Sequence, residues 1–196
     1  MRVLVIQAHP VEESFSTAIL ATTLGALAAG GHDVRSHRLY GEGFRAAMST
    51  AERHAYHSEQ PVLDPLVAAH VADLQWAEAL VFVYPTWWAG LPAILKGWLE
   101  RVLVPGVAFR MDERTNKVRA NLGHIRRIVG ISTYGSSRGY VRLVNDGGRR
   151  TLLRALRMLC ARTARSHWLG LYGMDGVTPA ERTAFLARVE RRLRLL

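Results

Sequence analysis

Two adjacent tryptophans, Trp87 and Trp88, stand between Tyr84-Pro85-Thr86 and Ala89-Gly90, directly after an apolar run. Contiguous aromatic area is costly on a surface unless it covers something, so these rings are expected to wall a pocket. A planar, apolar heterocycle is the natural occupant, with backbone N–H groups of the same loop reaching its polar edge. A second segment, Gln7-Ala8-His9-Pro10 through Ser14-Phe15-Ser16-Thr17, offers hydroxyls, a histidine and the free N–H groups of a helix start, a set that suits a phosphate. It contains neither the G-x-G-x-x-G of a dinucleotide-binding turn nor a P-loop lysine. A third, Ser132-Thr133-Tyr134-Gly135-Ser136-Ser137-Arg138-Gly139-Tyr140, is rich in small residues and hydroxyls. Its glycines admit a ligand close to the backbone, and its N–H groups could stabilise negative charge on a bound ring. Each segment also has a plainer reading: Ser14 or Ser16 as a helix cap, the tryptophans as core or dimer packing, the third as an ordinary loop. The three together point to one site. No metal-ligand set is assigned.

The elements that must position these residues can be read from periodicity. Met1 to Gln7, with Val3, Leu4, Val5 and Ile6 in a row, reads as a strand covered on both faces. Phe15, Ala18, Ile19, Thr22 and Ala26 recur at helical spacing until Gly30 and Gly31, and Val34 to Leu39 alternates as a half-covered edge strand. Residues 40 to 63 lack a pattern and read as a surface excursion. Asp64-Pro65 caps and opens a helix to about Ala77, and Ala79 to Tyr84 is a third strand. Ile94, Leu95, Trp98, Leu99 and Val102 then form one helical face, with Lys96 and Glu100 paired on the other. Ile125 to Ser132 is a fourth strand, Asn145 to Arg162 a helix and His167 to Tyr172 a fifth strand; Thr178-Pro179-Ala180-Glu181 is a capping box for the last helix. Alternating strands and helices predict one α/β domain over residues 1–196, a five-stranded parallel sheet of order 2-1-3-4-5 with helices on both faces. In such sheets ligands bind beyond the carboxyl ends of the strands where the winding reverses, here between strands one and three.

With 196 residues, 49% of them hydrophobic, the chain can bury a sizeable core. Its net charge of +10 comes largely from arginines in the C-terminal third. They are spread along helical segments without interleaved aromatic residues, which weighs against nucleic-acid binding. The positive field would still favour a dinucleotide's phosphates. The single cysteine, Cys160, lies in an apolar helical pattern and reads as a core thiol, so a reducing, cytoplasmic location is expected. No secretion signal is recognisable at the N-terminus, and no apolar run approaches the ~20 residues that cross a bilayer.

Gln7-Ala8-His9-Pro10 followed by Ser14-Phe15-Ser16, together with Tyr84 through Val102 and Gly106 to Phe109, resembles the NAD(P)H:quinone oxidoreductase family of flavodoxin-like proteins. The resemblance covers nearly the whole chain. It implies a non-covalent flavin, FMN or FAD, with NAD(P)H as co-substrate, a quinone-like acceptor, and a homodimer with active sites at the subunit interface. It places His9, Phe15 and Ser16, with Ser14 beside them, at the flavin phosphates and ribityl chain. Pro85, Thr86, Trp87, Trp88 and Ala89 would line the isoalloxazine, and Thr133, Tyr134, Gly135 and Ser136 would embrace its pyrimidine edge. Tyr140, reaching the O2 side, and Trp88 are the candidates for a catalytic role. Family members of the well-studied type pair that tyrosine with a charge-relaying histidine; here Asn145 and Asp146 occupy the region. Tyr140 with main-chain donors, or Arg138 or Arg142, remain as substitutes. The resemblance also admits an azo- or nitro-reductase, or an ancillary flavoprotein of a potassium-efflux system. The absence of a long C-terminal extension favours FMN slightly.

Overall fold

The computed structural model describes residues 1–112, 114–115 and 117–196. Five parallel strands form its sheet: β1 (Arg2–Gln7), β2 (Asp33–Arg38), β3 (Ala79–Pro85), β6 (Arg127–Thr133) and β7 (Arg165–Leu171). Their order is β2-β1-β3-β6-β7, the expected 2-1-3-4-5 with the intervening hairpin strands counted. Alternation of side chains along β1 and β3 divides the core in two. Val3, Val5, Val81 and Val83 pack with Ile19 and Leu27 of α1 (Phe15–Ala29) and Phe185 and Val189 of α7 (Pro179–Arg194). Leu4, Ile6, Leu80 and Phe82 pack on the opposite face with Leu74 of α3 (Pro65–Trp76) and Leu95 and Trp98 of α4 (Ala93–Val102). Helices therefore cover both faces. Ser14, Asp64 and Thr178 cap α1, α3 and α7, and Thr178 with Glu181 forms the expected capping box. Cys160 is buried, and burial pushes its thiol up to about 12.

Three sequence expectations need correction. The patternless stretch 40 to 63 contains a short helix, α2 (Thr50–Ala55), with a capping box between Ser49 and Glu52. Its anchor is ionic, which is why no apolar periodicity announced it: Glu52 accepts from Arg101 Nε of α4 at 2.8 Å. The excursion lies close on α4 at Gly97, where a Cβ would sit 2.2 Å from the Ala46 carbonyl oxygen. Between α4 and β6 an antiparallel hairpin, β4 (Phe109–Asp112) with β5 (Lys117–Ala120), was not foreseen, because each strand is only four residues long and the alternation in β5 buries nothing, all four of its residues being exposed.

The third correction bears on the site. The expected loop Thr133 to Tyr140 gives way at Arg138 to a helix, α5 (Arg138–Leu143), capped by Ser137. The helix expected from Asn145 to Arg162 does not begin at Asn145: Asn145 and Asp146 have φ of 71° and 38°, left-handed values that Asn and Asp tolerate better than most residues. Helix α6 (Gly147–Arg150) follows, continues as a π turn (Thr151–Ala155) and a 3-10 turn (Leu156–Leu159), and stops before Arg162.

Candidate active site

Parallel pairing delivers three loops to one edge. Pro85 lies opposite Thr133, and Gln7 opposite Val83, so β1, β3 and β6 release their chains side by side. Thr86 N–H donates to the Thr133 carbonyl (2.8 Å), Tyr134 N–H to the Leu171 carbonyl (2.8 Å) and Ala8 N–H to the Val83 carbonyl (3.0 Å), locking the loop roots together. Between them opens a cleft of about 1000 Å³.

The tryptophan segment is a two-residue hairpin. Gly90 N–H donates to the Trp87 carbonyl at 2.9 Å, and Trp88 and Ala89 occupy the two central positions with φ of 47° and 54°. Positive φ at both positions is the mirror-image turn normally built from Asn-Gly. A tryptophan and an alanine there hold backbone strain at the mouth of the cleft. Trp88 is fully exposed at 104% of its reference area and Trp87 is 41% exposed. The hairpin is braced from behind: Gly147 N–H donates to the Ala89 carbonyl (2.9 Å), and a Cβ on Gly148 would come within 3.2 Å of Gly90.

Across the cleft, Gly135 and Ser136 cross from β6 towards α5. Among the described residues, the N–H groups of Trp88, Ala89, Gly135 and Ser136 have no acceptor within the chain. Donors without partners, in a cleft also lined by two indoles, form a receptor for the electron-rich edge of a flat heterocycle.

Of the residues singled out from sequence, His9 and the β3 segment Pro85, Thr86, Trp87, Trp88 and Ala89 line the cleft. So do Thr133, Tyr134, Gly135, Ser136 and Tyr140 from the segment after β6. His9 Nδ1 is tied to the Val11 backbone at 3.1 Å, with its ring 6.4 Å from that of Trp87. Ser14, Phe15 and Ser16 are not in the lining. Ser14 Oγ accepts from Thr17 N–H (3.3 Å) as the α1 cap, and Ser16 is buried with its hydroxyl accepting from Gln7 Nε2 (3.4 Å). Phe15 packs against Phe185, with the Arg182 guanidinium 5.8 Å from its ring. What this first turn of α1 offers a phosphate is backbone N–H, since helix starts leave such groups unpaired. Sequence reasoning missed Val141 of α5, Val144 just beyond its end, and Met174 and Asp175, which complete the lining. The last two follow β7 at the same sheet edge, and the glycines flanking them, Gly173 and Gly176, were the available signal.

Tyr134 has its ring buried against Tyr172, 4.5 Å away and nearly parallel. Its hydroxyl donates to both oxygens of Asp146, at 3.0 and 3.2 Å. Burial first, then the Asp146 carboxylate, raise the phenol's pKa, so Tyr134 stays a protonated donor. Asp146, which with Asn145 occupies the region where the resemblance would place a histidine, is thus committed to Tyr134. Arg138 and Arg142 do not line the cleft; they face a separate cavity behind α5.

A second polar group lies at β2, α3 and α4. Trp98 Nε1–H donates to His70 Nδ1 at 2.9 Å, which leaves the His70 proton on Nε2, 3.0 Å from Glu42. His37 bonds Glu42 (3.2 Å) and Asp73 (2.8 Å) and stacks on His70 with ring centres 3.7 Å apart. Burial opposes charge on both partners, yet hydrogen bonds raise the His37 pKa and hold Glu42 down at about 2. His37, Glu42 and His70 are close enough to ligate an ion. Stacked rings send their lone pairs parallel rather than to one point, and the His70 Nε2 proton blocks its own, so the group is a hydrogen-bonded cluster.

The model of the flavodoxin-like fold family matches residues 1–194. The chain belongs to this family. NAD(P)H dehydrogenase [quinone] 1 of Rattus norvegicus is 30% identical over 154 residues, 71% of this chain and 56% of the relative. The chain spans about half the length of most curated relatives it matches. The solved NAD(P)H:quinone oxidoreductase of Methanothermobacter marburgensis is 26% identical, with TM-score 0.80 over 99% of this chain and 96% of that one. An FMN-dependent NADH-azoreductase of Bacillus anthracis, solved with FMN, shares the fold at 17% identity (TM-score 0.76, 98% and 97% covered). The quinone-oxidoreductase resemblance read from the sequence is thereby borne out. No described helix is long and apolar enough to cross a membrane.

Proposed function

We propose that this chain is a flavin-dependent oxidoreductase that carries reducing equivalents from NAD(P)H to a quinone or similar small acceptor. The observation that carries the reading is the two unpartnered N–H sets, Trp88–Ala89 and Gly135–Ser136, lining one cleft of about 1000 Å³ together with two exposed indoles. Cleft volume, aromatic wall and donor positions all fit an isoalloxazine, and the names of the quinone-reductase relatives agree with that use. A flavin, when bound, supplies the hydride chemistry itself.

The protein's part is orientation and polarity. Trp87, Trp88 and Pro85 present a flat apolar wall, while Thr86, bonded to Ser132 at 2.8 Å, and Thr133 fix the floor. The N–H groups of Gly135 and Ser136, with Tyr140 beside them, would hold negative charge at the ring's pyrimidine edge, and among the described residues no lysine or arginine lines the cleft. His9 and the first turn of α1 would receive the phosphate. One open face must serve both NAD(P)H and acceptor, so the donor leaves before the acceptor enters, a ping-pong order. A homodimer that closes the exposed Trp88 and Tyr140 edge, in a reducing compartment such as the cytoplasm that keeps Cys160 a thiol, completes the reading.

The purified protein is expected to be yellow, or to become so on adding FMN or FAD, to bleach with NADPH, and to recover colour with a quinone along parallel double-reciprocal lines. A protein that takes up neither flavin would overturn the reading.

A further inference from the structure

Behind α5, sharing only Val141 with the main cleft, lies a second cavity of about 520 Å³. Five arginines face it: Arg138 and Arg142 from α5, Arg149 and Arg150 from α6, and Arg154 from the π turn. Among the described residues its one lining carboxylate, Asp146, already receives the Tyr134 hydroxyl. Among the described residues none of the five arginines forms an ion pair with an acidic side chain. Arg149 makes a cation–π contact, its guanidinium 5.9 Å from the Trp168 ring.

The spacing is unfavourable for the fold alone. Arg138 and Arg142 are four apart, as are Arg150 and Arg154, and like charges at that spacing destabilise a helix. Elsewhere the chain uses it for opposite charges, Lys96 with Glu100 and Glu190 with Arg194. Five guanidiniums against one engaged carboxylate create a local positive field that a dianion would satisfy, and guanidinium forks match phosphate oxygens two at a time. The shape is a cavity rather than a track, which fits a compact phosphate group and not a nucleic-acid strand.

We propose that this cavity is a phosphate site that reads the 2′-phosphate of NADPH, and so sets preference for NADPH over NADH. The occupant rests on the oxidoreductase reading above; the anion site does not. Helix α5 is six residues long and about 10 Å across, a wall that a dinucleotide with one end at Tyr140 can cross.

The probe is 2′,5′-ADP, titrated calorimetrically against the wild-type protein and R150Q/R154Q, both side chains being exposed. Binding should weaken steeply with salt and fall about tenfold or more in the double variant, the loss expected for charge-assisted hydrogen bonds. R150K/R154K should recover part of it, keeping charge without the fork. In turnover, R150Q/R154Q should raise the KM for NADPH by a similar factor and leave kcat and the KM for NADH unchanged. Equal losses with NADH and NADPH, 2′,5′-ADP binding indifferent to the substitutions, or inorganic phosphate binding as tightly as 2′,5′-ADP would each overturn the proposal. DNA displacing 2′,5′-ADP through the same arginines would overturn the nucleotide as occupant. Should the protein take up no flavin yet bind 2′,5′-ADP through Arg150 and Arg154, the oxidoreductase reading fails and the anion site stands.

Discussion

The cleft at the carboxyl edge of the sheet and the polar layer beneath α3 and α4 treat their polar groups in opposite ways. In the layer, Arg101 is almost fully buried yet donates to Glu52, to Asp64 (2.8 Å) and to the Arg45 carbonyl (2.7 Å), and His37 is bracketed by two carboxylates. Charge there is answered by charge from the same chain, so the layer ties α2, the excursion and α4 to the sheet. In the cleft, N–H groups face open space, an indole is fully exposed, and Trp88 and Ala89 sit in left-handed backbone. Desolvated groups that the chain satisfies itself serve the fold; groups held apart at a cost are arranged for something the chain does not contain.

That contrast can be broken most forcefully at Arg101. Arg101→Met leaves the Glu52 carboxylate buried without its cation and should cost about 3–5 kcal/mol in denaturant unfolding, while the folded fraction binds flavin as before. A parallel loss of flavin affinity in the folded fraction would mean that the two regions are coupled. In the cleft the expectation reverses. Trp88→Ala should weaken flavin binding about tenfold by fluorescence titration and leave unfolding of the flavin-free protein within about 0.5 kcal/mol. An unaltered dissociation constant would remove Trp88 from the site.

A smaller effect tests the histidine cluster. His37 has a folded pKa above its ordinary 6.5, so its stabilising contribution is complete below 6.5 and is lost as pH rises through the folded value. Glu42 works the other way: its contribution is present above its ordinary 4.5 and disappears as pH falls towards about 2. Solvent screening at Glu42 keeps the acid limb near ~1 kcal/mol. His37→Gln should flatten the alkaline limb and shrink the acid one as well, because His37 is the first of the partners that hold Glu42 down; an unchanged slope between pH 6 and 9 would place the titrating group elsewhere. The smallest change is expected from Ala89→Gly, which relieves left-handed strain and should raise flavin-free stability by about 0.5–1 kcal/mol. No gain would mean that the hairpin carries no strain at that position.

How legible these regions were follows from their physics. The cleft announced itself because its residues are local: Trp87-Trp88, Gly135-Ser136 and the His9 segment each follow a recognisable strand, and a doubly wound sheet brings strand ends together whatever the helices do. The polar layer was silent. Arg101 meets Glu52 and Asp64 across 49 and 37 residues, and no periodicity records a pairing over that distance. His37, Glu42 and His70 drew no notice singly for the same reason. Ser14 and Ser16 read as open hydroxyls, yet one is spent on a cap and the other on Gln7.

By itself the sequence determined the strand order, the covering of both sheet faces and the edge where the loops converge, since apolar runs of strand length, helical stripes and right-handed crossovers leave little other choice. Only the tertiary structure decided the rest: the positive φ of Asn145 and Asp146, the helical start at Arg138, the commitment of Asp146 to Tyr134, and the gathering of five arginines behind α5. Those outcomes depend on which distant groups meet, and burial makes such meetings decisive by removing the water that would otherwise satisfy each group alone.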